Sequence, residues 1–327
     1  MENNLNVFFG PDAVEHFSTR PAFGAAVELL DELNPLKNKG VVIVAISAPE
    51  ETLKEAPAIN MLRGASDAGL LDEHDTIVVP TSGNFGKCVL KHAKRFGIKR
   101  VVMVVLSDLA PKKLEMLNFL GAEVISVPSG TIARAAEEAK KNGWFCLNQY
   151  QDDNNWRAHK QHLGPQIWKQ TDGKVSLFAS AMGTCGTVIG VGKFLKKENP
   201  QVKVLGVNLL RGEEVPGVRD LERIRKDVTL PWEDSIDNVD QPIEVGANAS
   251  FLASLQLCRV AKLKAGPSAG TGYCGLLTYL LCEDKNGRLD LLRNHYGKVV
   301  AVFPCHDGPE QYLEKYLTRL PASVLQY

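Results

Sequence analysis

The sequence lacks the features that mark membrane, secreted and nucleic-acid-binding proteins. No apolar run reaches the length needed to span a bilayer, and Met1–Asn4 shows no signal-peptide pattern. The 38 basic and 38 acidic residues cancel, so no basic field is present that would attract nucleic acid or anionic lipid. We therefore expect a soluble, cytoplasmic protein that binds neither nucleic acid nor membrane.

Paired cysteines with the spacing of a metal site are also absent. An odd, scattered set without an export pattern indicates reduced thiols, most of them small core residues, and no metal. Cys305 beside His306 and Asp307 allows a nucleophile interpretation, but adjacent turn residues rarely direct their side chains at each other. The seven cysteines are Cys88, Cys146, Cys185, Cys258, Cys274, Cys282 and Cys305.

Internal repeats, low-complexity tracts and the GxGxxG and Walker phosphate-binding patterns are missing as well. A chain of 327 residues with 44% hydrophobic residues can nevertheless bury a large core, divided between two lobes at usual domain sizes. Strand-like apolar runs alternate with helix-like segments, which predicts an α/β fold with doubly wound, mostly parallel sheets. The predicted strands are Gly40–Ala45, Thr76–Val79, Arg100–Val105, Ala122–Val127, Val175–Ala181, Val202–Val207 and Val299–Phe303.

The turn Pro80–Gly86, which reads Pro-Thr-Ser-Gly-Asn-Phe-Gly, follows one of these strands and opens a predicted helix. This geometry directs backbone N–H groups and two hydroxyls into a small volume, which suits a carboxylate or phosphate. Ser82 and Asn84 are also typical helix caps, and a cap and a ligand contact can coexist. We predict that Thr81, Ser82, Gly83 and Asn84 bind substrate.

A second polar turn, Gly183–Thr187, joins the predicted strand Val175–Ala181 to a helix. Such a turn can form a backbone nest for a phosphate, with added hydroxyls from two threonines. Its glycines are also compatible with a plain tight turn. The predicted phosphate-binding residues are Gly183, Thr184, Cys185, Gly186 and Thr187.

A third turn, Pro304–Gly308, follows the strand Val299–Phe303. Polar groups at the carboxyl ends of parallel strands are where open α/β sheets bind ligands. Ser268, in the loop Ala265–Gly270, either lines this edge or caps the helix that follows.

In this order the three turns resemble those of fold-type II pyridoxal-phosphate (PLP) enzymes, closest to cysteine synthase and the cystathionine β-synthase core. The resemblance implies a tryptophan synthase β-like fold and a homodimer. It also implies that the Pro80–Gly86 turn holds a substrate carboxylate, that Asn84 meets the 3′-oxygen of PLP, and that Gly183–Thr187 cups the phosphate. Similar stretches at Pro111–Val124 and Gly164–Val175 extend the resemblance over nearly the whole chain.

Several positions depart from the family pattern. The lysine that bonds covalently to PLP lies in a Ser-x-Lys-x-Arg-Pro-Ala segment, and the counterpart His16–Ala22 has Ser18 at the lysine position. A hydroxyl can neither replace that amine in the covalent link nor act as the amine base that removes an α-proton. Cys185 replaces a glycine of the cup, and Cys305 replaces the stronger hydrogen-bonding Ser or Thr that faces the pyridine nitrogen. Pro216–Leu221 replaces a glycine-rich loop near the ring.

The resemblance also predicts the division into lobes. Residues 40–145 are expected to form a smaller mobile lobe with the carboxylate-binding loop. Residues 1–39 and 146–327 are expected to form a large lobe with the phosphate cup. The charged segment 212–246 is expected to be a lid or a surface crossover.

Two functional classes remain open. One is a cysteine synthase-like enzyme, of β-replacement or β-elimination ancestry, that acts on a small amino acid or related carboxylate. Its chemistry would be altered at the catalytic position Ser18, with PLP held non-covalently or lost. The other is a non-catalytic relative that binds a metabolite or partner protein in the old cofactor cleft. An engineered replacement of the lysine by Ser18 is a third explanation of that position.

Overall fold

The apolar runs of the sequence become the strands of two sheets. The computed structural model describes residues 6–7, 26–47, 52–81, 83–227 and 239–306, so Ser18 and Ser82 lie outside the described residues. In chain order the described strands are β1 (Asn6–Val7), β2 (Ala26–Glu28), β3 (Val41–Ser47), β4 (Thr76–Pro80), β5 (Arg100–Leu106), β6 (Glu123–Val127), β7 (Phe145–Cys146), β8 (Leu177–Ala181), β9 (Lys203–Leu209), β10 (Gln241–Val245) and β11 (Val299–Cys305).

Parallel pairing dominates both sheets. The larger has the order β1-β2-β3-β11-β8-β9-β10 and the smaller the order β6-β5-β4-β7. At the centre of the larger sheet, β3 and β11 pair in parallel along their whole length, and every residue of β11 is buried. Parallel strands that are covered on both faces need apolar side chains on both, which explains the continuous runs. The predicted α/β fold with mostly parallel sheets is confirmed.

Helices follow most of the parallel strands, as a doubly wound fold requires. The helix α10 contacts β8, β9 and β11 of the larger sheet, and α1 packs on α2 beside the smaller sheet. The described α-helices are α1 (Glu55–Asp67), α2 (Asn84–Ala93), α3 (Pro111–Phe119), α4 (Thr131–Asn142), α5 (Asp153–Gln161), α6 (Leu163–Gln170), α7 (Gly186–Glu198), α8 (Leu221–Asp227), α9 (Ala247–Arg259) and α10 (Pro267–Lys285). None of these helices is long and apolar enough to cross a membrane.

One edge of the larger sheet is antiparallel and was not predicted. The strand β1 pairs antiparallel with β2, and β2 pairs antiparallel with β3. These two strands have two and three residues. Strands this short leave no apolar run that a sequence pattern can detect.

The two compact units of the chain differ in their boundaries from the predicted lobes. One unit holds the residues up to Leu53 and those from His159 to Lys226, together with the last part of the chain; the other holds Lys54–Ala158. The strand β3, which we assigned to the smaller lobe, pairs instead with β11 in the larger sheet. Its all-apolar sequence suits either sheet, so pairing rather than composition decides its unit.

The segment 212–246 is partly built into the fold instead of forming only a lid or crossover. The helix α8 lies within it, and β10 extends the larger sheet in parallel with β9 from Gln241 to Val245. The residues of β10 are mostly exposed, as expected of an edge strand. Residues 228–238 of this segment lie outside the described residues.

Candidate functional site

The predicted phosphate turn lies between β8 and α7. Cys185 is the N-cap of α7 and has left-handed backbone angles, with φ 63° and ψ −2°. The side chain of Cys185 makes no capping hydrogen bond to the helix. The first N–H groups of a helix have no partner inside it, so the N-terminus of α7 suits an anion.

Gly183 lets another loop approach this turn closely. A Cβ atom added at Gly183 would collide with the carbonyl oxygen of Gly217. The same loop is held to the turn by the N–H of Arg219, which donates to the carbonyl of Met182 at 2.9 Å. The segment Pro216–Leu221, which departs from the family pattern, therefore packs directly against the predicted phosphate turn.

Two threonine hydroxyls belong to the turn. The Oγ1 atom of Thr184 accepts a hydrogen bond of 3.4 Å from the N–H of Gly186. The Oγ1 atom of Thr187 is hydrogen bonded to Nε2 of His159 at 3.2 Å, and His159 is fully buried. No role was predicted for His159, and its buried ring orients the Thr187 hydroxyl.

Cys305, which was predicted to face a ring nitrogen, is the last residue of β11. Its side chain is fully buried in the apolar cluster around the larger sheet. The thiol donates to the carbonyl of Lys264 at 3.7 Å. Successive side chains of a strand point to opposite faces, and the next residue, His306, is only half-buried. Its Nε2 atom lies 3.3 Å from Oγ of Ser268, so the polar group at the end of β11 is this His-Ser pair.

These groups share one edge of the larger sheet. The strands β8 and β11 are parallel neighbours, so the turns after them lie at the same carboxyl edge. The first turns of α10, which carry Ser268, also reach this edge: a Cβ atom added at Gly272 would lie 3.7 Å from the backbone nitrogen of Ala181.

The turn predicted to bind a carboxylate lies in the other unit, between β4 and α2. The Oγ1 atom of buried Thr81 accepts hydrogen bonds from the N–H groups of Gly83, at 3.0 Å, and Gly86, at 3.1 Å. Gly83 is the N-cap of α2, with φ 118° and ψ −61°, a conformation that L side chains rarely adopt. The Thr81 oxygen therefore shapes the turn, and its own hydroxyl hydrogen is the part that can meet a ligand.

Asn84, the first residue of α2, is held by a lysine from another helix. The Oδ1 atom of Asn84 lies 3.2 Å from Nζ of Lys113, in α3. Lys113 is buried, with 4% of its surface exposed. No role was predicted for Lys113. A signal was present, because Lys113 and buried Leu117 are four residues apart and so share the inward face of α3.

Gln149 also holds this turn by a hydrogen bond to its first residue. Its Nε2 atom donates to the carbonyl of Pro80 at 3.4 Å, and its own carbonyl accepts from Nδ2 of Asn155 at 2.7 Å. The neighbouring residue, Tyr150, is buried. Both residues are therefore packing groups of this unit. Among the described residues, no three His, Cys, Asp or Glu side chains form a group that could hold a metal ion.

Known proteins with similar sequences are enzymes of amino-acid metabolism. The chain is 29% identical to cysteine synthase B of Pseudomonas aeruginosa over 234 residues, which covers 70% of this chain and 77% of that protein. It is 27% identical to cystathionine beta-synthase of Apis mellifera over 290 residues, or 83% of this chain and 54% of that protein.

Solved structures agree on the fold. O-ureido-L-serine synthase with bound O-ureido-L-serine aligns with a TM-score of 0.74 at 22% identity, over 93% of this chain and 92% of that chain. A hydrogen sulfide-producing enzyme from Fusobacterium nucleatum aligns with a TM-score of 0.71 at 23% identity, over 84% and 92% of the two chains. The sequence pattern of the family described as pyridoxal-phosphate dependent enzyme matches residues 51–303. The chain thus belongs to the pyridoxal-phosphate dependent enzymes, with the fold-type II architecture that its three turns suggested.

Proposed function

We propose that this protein binds PLP and acts on a small amino acid as a cysteine synthase-like enzyme whose chemistry is altered at Ser18. The observation that carries the proposal is the turn Gly183–Thr187 at the N-terminus of α7, whose N-cap residue Cys185 has left-handed backbone angles and makes no side-chain capping hydrogen bond. The similarity to cysteine synthases supports the amino-acid substrate class. By the same similarity we propose a cytoplasmic homodimer with a phosphate-binding and a carboxylate-binding lobe.

The residues around this turn fit the phosphate of PLP. The left-handed Cys185 directs successive N–H groups of the turn to one side, which favours a phosphate at the end of α7. The hydroxyls of Thr184 and Thr187 lie beside it, and His159 holds the second of them. The pair Ser268 and His306 is the polar group at the neighbouring strand end and is our candidate for the ring.

PLP, when bound, supplies an electron sink for the bonds at the α-carbon of an amino acid. The turn at Thr81 holds the substrate carboxylate by backbone N–H groups at the N-terminus of α2 and by the Thr81 hydroxyl. Asn84 would hold an oxygen on the ring through its amide N–H groups. Ser18, at the lysine position, provides no amine, so proton removal at the α-carbon falls to another group or does not occur.

The alternative is a non-catalytic or PLP-independent relative that binds a metabolite or a partner protein. Two observations favour it: Ser18 at the lysine position, and the buried Cys305, whose thiol faces a backbone carbonyl in place of the site. Such a protein would keep its anion-binding turns and use them to capture a carboxylate or a chain terminus.

Spectroscopy with reductive trapping tests the proposal directly. The purified protein is mixed with PLP, reduced with borohydride and mapped by mass spectrometry. We expect PLP to bind without a reduced adduct at position 18, and we expect Ser18→Lys to create one there together with the absorbance of a protonated imine. An adduct on another lysine, such as Lys87, Lys113 or Lys160, would overturn the non-covalent proposal. Failure of both proteins to bind PLP would favour the alternative.

Calorimetry distinguishes the ligand that each of the two turns binds. Thr187→Ala is expected to weaken PLP binding, because the hydrogen bond to a charged group is worth about 1.5–3 kcal/mol. Thr81→Ala is expected to weaken the binding of L-serine and leave PLP less affected. If L-serine, PLP and 2-oxo acids bind neither the unmodified protein nor Ser18→Lys, the two turns no longer bind small ligands. That result would support the partner-binding alternative.

A further inference from the structure

Lys113 stands apart from the other lysines by its burial. It is the one lysine that is buried among the residues that the structure describes, with 4% exposed surface. Its neighbour in α3, Lys112, is exposed. Removing an ammonium group from water costs free energy that must be recovered by hydrogen bonds. A lysine kept at such a position is therefore expected to have a specific task.

The chemistry of the two side chains decides the orientation of Asn84. An ammonium group only donates hydrogen bonds, so the amide atom that lies 3.2 Å from Nζ of Lys113 must be the oxygen. The nitrogen of the amide, with its two N–H donors, then forms the opposite end of the group. Without a donor at that place, the two amide orientations are nearly equal in shape and differ only in their hydrogen bonds.

The turn itself also rests on Lys113. A Cβ atom added at Gly83 would lie 3.0 Å from Cδ and 3.5 Å from Nζ of Lys113. The lysine side chain thus lies across the N-cap of α2 before it reaches Asn84. A side chain at position 83 would therefore have to displace the lysine.

We propose that Lys113 is a positioning residue that orients the Asn84 amide so that its N–H donors, and not its carbonyl oxygen, meet an oxygen of the PLP ring. The inference rests on the proposed function, because it takes PLP as the ligand. A flipped amide would direct its carbonyl oxygen at the ring oxygen, and two acceptors repel each other. Lys113 prevents this flip.

The test is a titration of the protein with PLP, in which binding is monitored by the change in cofactor fluorescence. Lys112→Met is the matched control. Loss of a charged hydrogen bond corresponds to a factor of about ten or more in affinity, so we expect Lys113→Met to weaken PLP at least tenfold. Lys112→Met should leave the affinity unchanged. Lys113→Arg, which keeps a charged donor, should restore part of the loss. Thermal unfolding of each variant confirms that it is folded.

A double-mutant cycle distinguishes positioning from a general structural effect. Asn84→Ala should weaken PLP, and adding Lys113→Met to it should cause no further loss, because Lys113 acts through Asn84. Asn84→Asp keeps the acceptor for Lys113 but removes the N–H donors, and should weaken PLP at least as much as Asn84→Ala. This variant keeps the test valid even if Lys113→Met fails to fold.

Three results would overturn the inference. The first is that Lys113→Met and the unmodified protein bind PLP with equal affinity. The second is that the losses of PLP affinity in the two single variants add fully in the double variant. The third is that Asn84→Asp binds PLP as tightly as the unmodified protein. In each case the unmodified protein still binds PLP and the proposed function stands. If the unmodified protein binds no PLP, the proposed function fails and this inference falls with it.

Discussion

A glycine is required at position 183 because there is no room for a side chain. Its backbone angles are not in the left-handed region, but a Cβ atom would collide with the backbone carbonyl of Gly217. A backbone atom cannot turn aside as the end of a flexible side chain can. The close approach of these two loops therefore depends on glycine for steric reasons alone.

We expect Gly183→Ala to lower the free energy of unfolding by about 2 kcal/mol or more, because the Pro216–Leu221 segment must be displaced. The control is Gly287→Ala, whose φ of 66° is left-handed but which has no atom within 4 Å of the added Cβ. Backbone strain alone should cost that variant about 1 kcal/mol. Urea denaturation measures both, and an equal loss in the two variants would show that the collision is relieved at no cost.

Among single residues, those of the polar turns after β4 and β8 were located best from the sequence. Thr81, Gly183 and Gly186 lie in the strand-to-helix turns where they were predicted. The pairing of His306 with Ser268 was not predicted, because the two residues are distant in sequence. Lys113 was missed because its partner, Asn84, is distant in sequence.

At the scale of elements, Glu55 joins the first two helices beside the smaller sheet. Its Oε1 atom lies 2.6 Å from Nζ of Lys91 and 2.8 Å from Nε2 of His92. Burial alone would raise the pKa of the Glu55 carboxyl, but the hydrogen bonds from Lys91 and His92 outweigh it and hold the pKa below its usual value. The charged carboxylate is therefore favoured in the folded state.

This pKa shift predicts a pH-dependent contribution to stability. A lowered pKa in the folded state stabilises the fold fully above the unfolded value of 4.5, and the contribution is lost as the pH falls through the lower, folded pKa. Glu55→Gln should cost about 1 kcal/mol at pH 7, because the glutamate is largely buried and Lys91 is half-exposed.

Denaturation of the variant and the unmodified protein from pH 7 to pH 3 checks this prediction. The difference between them should shrink in the acid range. Glu123→Gln is the control, since Glu123 pairs with Arg100 across two strands with both side chains about half-exposed, and exposed pairs contribute little. A difference for Glu55→Gln that stays constant down to pH 3 would contradict the ion-pair explanation.

Some helices were easier to predict from the sequence than others. The helix α4 (Thr131–Asn142) is clearly marked in the sequence, because glycines flank it and its apolar residues recur with helical spacing. The helices α5, α6 and α9 were not predicted. The first of these is highly polar, so no apolar stripe marks it in the sequence.

At the scale of the whole molecule, all seven cysteines are free thiols. Cys282 is exposed, whereas Cys88, Cys185 and Cys305 are buried. Burial raises the pKa of the Cys146 thiol to about 11, so little of it is the reactive thiolate near neutral pH. Reactivity toward a thiol reagent should therefore follow exposure.

We expect Ellman's reagent at pH 8 to modify Cys282 rapidly and the remaining cysteines slowly. In denaturant without a reductant all seven should react. A reductant should leave the unfolding temperature unchanged, because no disulfide is present to be reduced. The variant Cys282→Ser identifies the rapid phase, and fewer than seven thiols in denaturant would disprove the all-reduced state.

The sequence by itself determined the class of the fold, the order of its main strands and the family, because continuous apolar runs and the polar turns after them are local patterns. Only the tertiary structure decided which sheet receives β3, that β10 is an edge strand, and that His306, just after β11, pairs with Ser268. It alone paired Lys113 with Asn84 and His159 with Thr187. The physical reason is common to all of these: strand pairing, the face of a strand and hydrogen bonds between distant residues arise from packing, and no local spacing in the chain encodes them.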